Sequence, residues 1–231
     1  MSEITLASRE AWLQARLALL AEEKALNEHR DRVNAARRAM PAVKLTKAYE
    51  FDTVDGKKSL VELFGGSSQL VVYHFMFGST WQEGCPSCSF WADNYEGTDI
   101  HLAARDTALV AVSSAPLTVL QGYKKRMGWR FSWVSSGRSD FNQDFGVTFH
   151  DGEPGPTDGY NYGKRNYGEE MPGISVFSKL EDGGVAHHYS TYGRGLDMVN
   201  GAYHLLDLTP KGRNETDLPF PQAWVRRRDQ Y

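Results

Sequence analysis

The spacing of hydrophobic and polar positions changes near residue 40. Before it, apolar side chains recur at mostly helical spacing among many charges: Trp12, Leu13, Leu17, Leu20 and Leu26. Ser8 can cap a helix at its start, and Met40-Pro41 can end it, because proline disfavours helical backbone in the residue before it. The pattern predicts one long helix or a helical hairpin over residues 8–39. We therefore expect an N-terminal helical arm over 1–42 and a domain over 43–231.

Beyond the arm the spacing becomes that of strands. Residues 49–54 alternate between apolar and polar, Asp55-Gly56 is a tight turn, and an apolar-containing run follows at residues 59–64. This pattern predicts a β-hairpin. Continuous apolar runs at 69–77 and 107–113 predict buried strands. The other predicted elements, in chain order, are helices at 89–96 and 116–127, a strand at 130–134, a loop at 150–170, strands at 174–177 and 185–189, a last helix at 195–206, and a polar tail from Pro210.

Both cysteines of the chain lie between a predicted strand and a predicted helix, as Cys85-Pro86-Ser87-Cys88. Two thiols at this spacing in a β-α context are typical of a redox motif. Proline is favoured at the first helical position, which places Cys85 at the N-cap and Cys88 one turn in. Free backbone N–H groups and the helix dipole then favour a thiolate at Cys85. We expect Cys85 to attack and Cys88 to resolve.

Composition and charge limit the expected size of the core, the binding partners and the cellular location. A chain of 231 residues can bury one sizeable core, and its net charge of −3 gives no electrostatic footprint for nucleic acid or an anionic membrane. No apolar run can span a bilayer and no secretory signal is visible, so we expect a cytoplasmic protein. In a reducing cytoplasm such a cysteine pair is more often catalytic, redox-sensing or metal-binding than structural. Gly193-Arg194-Gly195 is too short for a dinucleotide fingerprint, and no cofactor is expected.

The order of the predicted elements resembles that of thioredoxin, and the hairpin together with residues 131–147 is similar to the peroxiredoxin-like branch of that fold. Four segments resemble a bacterial thioredoxin-like family of unknown function: His74–Gly78, Gly84–Asp93, Lys125–Trp129 and Arg194–Asp197. The resemblance implies an α/β, thioredoxin-like three-layer sandwich. It would have a mixed central sheet, an extra N-terminal β-hairpin and a long N-terminal helical arm.

The resemblance also implies roles for residues outside the dithiol. Pro172 matches the cis-proline that faces the dithiol in thioredoxin-like proteins, and the Met171 backbone would then be free to bind a substrate strand. His74 matches the position of a buried carboxylate, so it is either a proton carrier for Cys88 or a core histidine. Trp81 lies in the loop before the dithiol, where it either contacts substrate or packs ordinarily.

These observations favour a thiol–disulfide oxidoreductase acting on a disulfide in a protein or a small molecule, with peroxidase activity as a subsidiary version. The alternative is a non-catalytic binding protein whose cysteine pair is inert or holds a metal such as zinc. His150, or one of His187 and His188, would have to help complete such a site, since adjacent strand residues point to opposite faces. The helical arm either packs on the domain or forms a homodimer contact.

Overall fold

Helix α1, Arg9–Arg38, forms the N-terminal arm as one continuous helix. The computed structural model describes residues 4–149, 159–163 and 168–231. The Ser8 hydroxyl caps α1 by accepting a hydrogen bond from the Ala11 N–H at 3.2 Å. The chain divides into two compact units, the segment up to Pro41 and Ala42–Tyr231. No helix of the described residues is both long and apolar enough to cross a membrane.

One mixed sheet organises the second unit. Its strands are β1 Val43–Lys44, β2 Glu50–Thr53, β3 Gly56–Ser59, β4 Gln69–His74, β5 Thr107–Ser113, β6 Ser132–Ser135, β7 Gly173–Lys179 and β8 Val185–Tyr192. Their order in the sheet is β1-β8-β7-β4-β5-β6-β2-β3. β4, β5 and β6 run parallel, whereas β7 is antiparallel to both β4 and β8. The order β5-β4-β7-β8 is that of a thioredoxin-like core, and the β2-β3 hairpin extends the sheet beyond β6. This confirms the predicted fold class.

Short helices follow the strands. They are α2 Pro86–Ala92, α3 Thr98–Ala103, α4 Leu117–Met127, α5 Phe141–Asp144, the single turn α6 Tyr160–Gly163 and α7 Gly201–Asp207. In α6 the backbone of Asn161 and Tyr162 is left-handed. The predicted last helix is divided into a 3₁₀ segment, Gly193–Val199, and α7. The break lies at Asn200, whose extended backbone interrupts the helix and whose side chain caps α7 by accepting from the Tyr203 N–H at 3.1 Å. Most of the predicted 150–170 loop lies outside the described residues.

The sheet separates two apolar cores. We call one the dithiol-side core, which includes Tyr73, Phe75, Cys88, Trp91 and Tyr123. We call the other the hairpin-side core, which includes Phe51, Leu70, Val72, Phe141, Phe145 and Phe177. Because successive side chains of a strand point to opposite faces, β4 contributes Leu70 and Val72 to one core and Tyr73 to the other. The face on which a β4 residue lies therefore decides whether it reaches the cysteines.

Candidate redox site

The dithiol lies where the chain passes from β4 to α2. Cys85 is the N-cap residue of α2, and Pro86 occupies the first helical position, as the sequence predicts. The Cys85 N–H donates to the Met76 carbonyl at 3.1 Å, which fixes the end of the intervening loop beside β4. Both thiols are free; Cys85 is partly exposed, whereas Cys88 is buried. An incoming molecule therefore meets the Cys85 sulfur first.

The two thiols differ in acidity. The hydrogen bond from the Cys88 thiol is the largest cause that lowers the pKa of Cys85, to about 7, and the backbone N–H groups of Cys88 and Ser87 act in the same direction. Arg227 adds a favourable charge, while burial opposes ionisation. Burial raises the pKa of Cys88 well above its ordinary value, and the neighbouring Cys85 raises it further. Near neutral pH, Cys85 therefore has thiolate character and Cys88 keeps its proton.

Arg227, from the C-terminal tail, joins this site although nothing in the sequence pattern pointed to it. Its Nη2 donates to the Gly84 carbonyl at 2.8 Å, and its Nε donates to the Tyr123 hydroxyl at 3.0 Å. Its Nη1 lies 3.0 Å from Glu83 Oε2, and 13% of its side chain is exposed. The guanidinium therefore holds the residue immediately before Cys85 and places a fixed positive charge near the thiolate.

Two hydroxyl groups connect α2 to this arginine contact. The Ser89 Oγ donates to the Cys85 carbonyl at 2.9 Å and lies 2.8 Å from the Tyr123 hydroxyl. Tyr123 belongs to α4, and its hydroxyl also accepts from Arg227. The first turn of α2, helix α4 and the tail are thus joined by one hydrogen-bonded chain. This chain holds the backbone around Cys85 in place.

Two tyrosines interact with Cys88. The Tyr73 hydroxyl donates to the Cys88 carbonyl at 3.2 Å, and burial raises the pKa of Tyr73 well above its ordinary value. The charge of Cys88 also raises the pKa of Tyr160, although burial is the larger cause. Both phenols consequently remain protonated at neutral pH. The hydrogen bond of Tyr73 lowers the pKa of Cys88, but burial of the thiol outweighs it.

The structure places His74 away from the dithiol, which corrects the predicted proton-carrier role. Its ring stacks on Phe141 and Phe145 of the hairpin-side core, at centroid distances of 5.6 and 6.0 Å. Its Nε2 lies 2.8 Å from Ser175 Oγ, and burial lowers its pKa to about 3. His74 is thus a neutral core histidine. The β4 side chain on the cysteine face is that of its neighbour, Tyr73.

Pro172 also departs from the expectation, since no cis peptide bond occurs among the described residues and Met171-Pro172 is trans. The Met171 N–H is not free for a substrate strand because it donates to the Val147 carbonyl at 2.7 Å. The Pro172 carbonyl accepts a hydrogen bond from the Tyr160 hydroxyl at 2.6 Å. These contacts bind the 171–172 backbone within the protein. The Met171 N–H is therefore not available to a substrate strand, and substrate binding at Met171 stays a prediction.

Trp81 lies in the loop between β4 and the dithiol. It is partly buried and packs against the dithiol-side core. Its indole covers Gly78, where an added Cβ would lie 2.8 Å from the indole Nε1. The glycine therefore allows the close approach that orders this loop. A substrate contact by Trp81 remains a prediction.

The histidines considered as metal ligands have other partners. The His187 ring lies 5.1 Å from that of Phe145 and 5.4 Å from that of Phe177, in the hairpin-side core. His188 Nε2 lies 2.7 Å from Ser178 Oγ. His150 lies outside the described residues. Within the described ranges, no three side chains of the metal-ligating types His, Cys, Asp and Glu come together.

Comparison with known proteins finds matches among structures and families. No curated protein matches this chain. A cysteine-to-serine mutant of peroxiredoxin Q from Xanthomonas campestris is 16% identical over 68% of this chain and 90% of that one, with a TM-score of 0.45. Peroxidoxin BcpB of Mycobacterium tuberculosis is 14% identical over 70% and 94%, with a TM-score of 0.46. A putative thiol-disulfide oxidoreductase of Bacteroides vulgatus is 13% identical over 68% and 92%, with a TM-score of 0.39. The model of the family described as "Bacterial protein of unknown function (DUF899)" matches residues 1–231, and this chain belongs to that family.

Proposed function

We propose that this protein is a thiol–disulfide oxidoreductase in which Cys85 is the nucleophile and Cys88 the resolving thiol. The observation that carries the proposal is the pair's arrangement at the N-terminus of α2. Cys85 is partly exposed, with its pKa lowered to about 7, and Cys88 is buried one turn later, with its pKa raised. A thiol pair that exchanges with disulfides needs one thiolate that attacks and a second thiol that stays protonated until it resolves the mixed disulfide.

The reaction consumes the reduced pair. The Cys85 thiolate attacks one sulfur of a substrate disulfide, forms a mixed disulfide and releases the other sulfur as a thiolate. Cys88 then loses its proton and attacks the Cys85 sulfur. This forms the Cys85–Cys88 disulfide and releases the second substrate thiolate. The protein loses two electrons, the substrate gains them, and a cellular dithiol restores the reduced pair by the same exchange.

The second step does not require a dedicated base beside Cys88. Apart from burial, the causes that raise the pKa of Cys88 are the hydrogen bond to Cys85 and the charge of Cys85. Both end when Cys85 becomes part of the mixed disulfide, because its sulfur is then neutral. The thiolate released in the first step can accept the proton. Formation of the mixed disulfide thereby makes Cys88 more acidic at the point where it must attack.

The substrate is a disulfide in a small molecule or a protein. The paired backbone at Met171 gives no support for docking of an extended peptide there. We place the reaction in the cytoplasm, where thiol reductants regenerate the pair. Direct reduction of a peroxide by Cys85 is a subsidiary version of the same thiolate chemistry.

The test uses the reduced full-length protein with bis(2-hydroxyethyl) disulfide and with a disulfide-bonded protein. The wild type should reduce them and end with a Cys85–Cys88 disulfide. Cys85→Ser should abolish reduction, whereas Cys88→Ser should stop at a mixed disulfide that mass spectrometry detects as one adduct per chain. Ser87→Ala, which keeps both thiols, is the matched control and should react normally. Reduction by Cys85→Ser at the wild-type rate would contradict the proposal.

We also propose that a second copy of the chain covers α1. Four apolar side chains recur along this helix at seven-residue intervals, Trp12, Leu19, Leu26 and Val33, and they are 48, 55, 65 and 41% exposed. Such a column is a narrow apolar stripe on a mostly charged helix, and contact with the same stripe of a second copy would bury it. Light scattering should give a dimer that Leu26→Glu dissociates. Leu17→Glu, at a position outside the column that is 50% exposed, should leave the dimer intact; a monomeric wild type would refute this contact.

A further inference from the structure

A second candidate site lies at the edge of the sheet where β5 and β6 end. It is a cavity of about 360 Å³, lined mainly by hydroxyl, amide and carboxylate side chains. The residues that matter here are Ser114, Asn142, Thr148, Glu169 and Glu170. This volume is at the small end of the range found for ligand pockets. Neither cysteine lines the cavity, so the site does not depend on the proposed redox function.

A buried carboxylate forms one wall of this cavity. Glu170 is only 4% exposed, and its Oε2 accepts a hydrogen bond from the Thr148 hydroxyl at 3.0 Å. The backbones of Thr148 and Glu170 form a β-bridge, which holds the two side chains opposite one another. The Thr148 hydroxyl also lies 3.1 Å from that of Ser114, which accepts from Asn142 Nδ2 at 3.2 Å. The carboxylate is thus held in position by ordered polar neighbours.

The titratable side chains described along this cavity are acidic. Among the described residues that line it, Glu169 and Glu170 are the titratable side chains, and none is a lysine, arginine or histidine. Burial raises the pKa of Glu170 to about 7, and the charge of Glu169 adds to this, while the hydroxyls of Ser114 and Thr148 oppose it. An ionised carboxylate buried without a counter-ion is costly. A cation entering the cavity would remove that cost.

We propose that this cavity binds a guanidinium group, which pairs with the Glu170 carboxylate while the surrounding hydroxyl and amide oxygens accept its remaining N–H donors. Guanidinium is planar, always charged and suited to two parallel hydrogen bonds with a carboxylate. A neutral polyol would satisfy the hydroxyl groups but would leave the buried carboxylate without a counter-charge. The group belongs either to a small molecule or to an arginine side chain of a peptide.

The direct test compares n-propylguanidinium with its neutral analogue, n-propylurea, by calorimetric or NMR titration of the full-length protein. The guanidinium should bind and the urea should bind at least tenfold more weakly. Binding requires ionised Glu170, whose pKa is about 7, so affinity should rise about tenfold from pH 6 to pH 8. An arginine-containing tripeptide amide distinguishes the sources: tighter binding than n-propylguanidinium indicates a peptide, and weaker binding a small molecule.

Substitutions distinguish the contribution of the buried Glu170 carboxylate to cation binding from that of the other negative charge nearby. Glu170→Gln should abolish the preference for the cation, whereas Glu169→Gln, at an exposed neighbouring position, should reduce affinity less than threefold. Thr148→Val keeps the carboxylate and removes its hydrogen-bond donor. It should therefore move the pH dependence of binding to higher pH, even if Glu170→Gln does not fold. Equal binding of the two analogues, or cation binding that does not change between pH 6 and pH 8, would overturn the assignment.

Discussion

Replacing Cys88 by alanine should raise the pKa of Cys85, whereas replacing it by serine should largely preserve the low value. The hydrogen bond from Cys88 is the largest of the causes that lower the pKa of Cys85 to about 7. Alanine removes the donor, and serine keeps an O–H group at the same position. Both variants retain the helix N-terminus and the charge of Arg227. Comparing the two variants therefore isolates the effect of one hydrogen bond on the pKa of Cys85.

The size of the effect follows from the strength of that bond. A hydrogen bond to a charged group is worth about 1.5–3 kcal/mol, and 1.36 kcal/mol corresponds to one pKa unit. The pKa of Cys85 should therefore rise by about 1–2 in Cys88→Ala. With a pKa of about 7, half of Cys85 is thiolate at pH 7. After the rise the thiolate fraction is about 1–10%, so alkylation at pH 7 should slow about 5- to 50-fold.

The assay is the rate of iodoacetamide alkylation as a function of pH, together with ultraviolet absorbance of the thiolate. Each variant carries only Cys85, so the reacting thiol is unambiguous. Unfolding by urea checks that both variants are folded. Equal Cys85 pKa values in the alanine and serine variants would refute the reasoning. They would assign the acidity to the α2 backbone N–H groups and Arg227 instead.

Three further substitutions test the neighbourhood of the dithiol. Arg227→Gln should raise the pKa of Cys85 less than Cys88→Ala does, and Arg227→Lys should raise it least because the charge remains; the same alkylation titration measures both. His74→Phe should leave the exchange rate of Cys85 unchanged, and a slower rate at an unchanged Cys85 pKa would restore the relay role. His74→Phe should also reduce the rise of the free energy of unfolding with pH in the acid range. Burial lowers the pKa of His74 from 6.5 to about 3, so between these pH values the unfolded chain binds one proton more than the folded protein. The free energy of unfolding of the wild type should therefore rise with pH in this range, by at most about 1.4 kcal/mol per pH unit. Urea unfolding at several pH values measures it. Gly84→Ala should cost about 1–3 kcal/mol in the same experiment because its Cβ would lie 2.7 Å from the Phe75 ring, and no loss would mean that the ring moves aside freely.

The parts of the structure that could be predicted are those determined by near neighbours in sequence. Pro86 at the first helical position and Cys85 at the N-cap follow from the preference of proline for that position, and the structure has both. Gly128 ends α4 in a left-handed conformation with φ of 67°, which glycine adopts readily. The apolar run that becomes β4 is similarly local. Each of these features depends on a few adjacent residues.

The long-range contacts could not be predicted in the same way. Arg227 lies 143 positions from Gly84, and its place in a polar tail gives no sign of a role. The trans bond at Pro172 and the Met171–Val147 hydrogen bond likewise depend on how a distant segment packs. A motif predicts the residue types at its own positions. It does not identify the charge that another part of the chain brings to them.

His74 illustrates a second limit, which bears on how the site can work. Because β4 is covered on both faces, its apolar run has no polar side, and the sequence does not tell which alternate residues face α2. The structure assigns Tyr73 to the cysteine face and His74 to the other. The side chains of Tyr73 and Tyr160 beside Cys88 hold their protons at neutral pH. Burial is the largest cause that raises the pKa of Cys88, and the hydrogen bond to Cys85 and the charge of Cys85 raise it further. These last two contributions end when the mixed disulfide forms. On this argument the resolving thiol becomes more acidic as the reaction proceeds, without a proton carrier at His74.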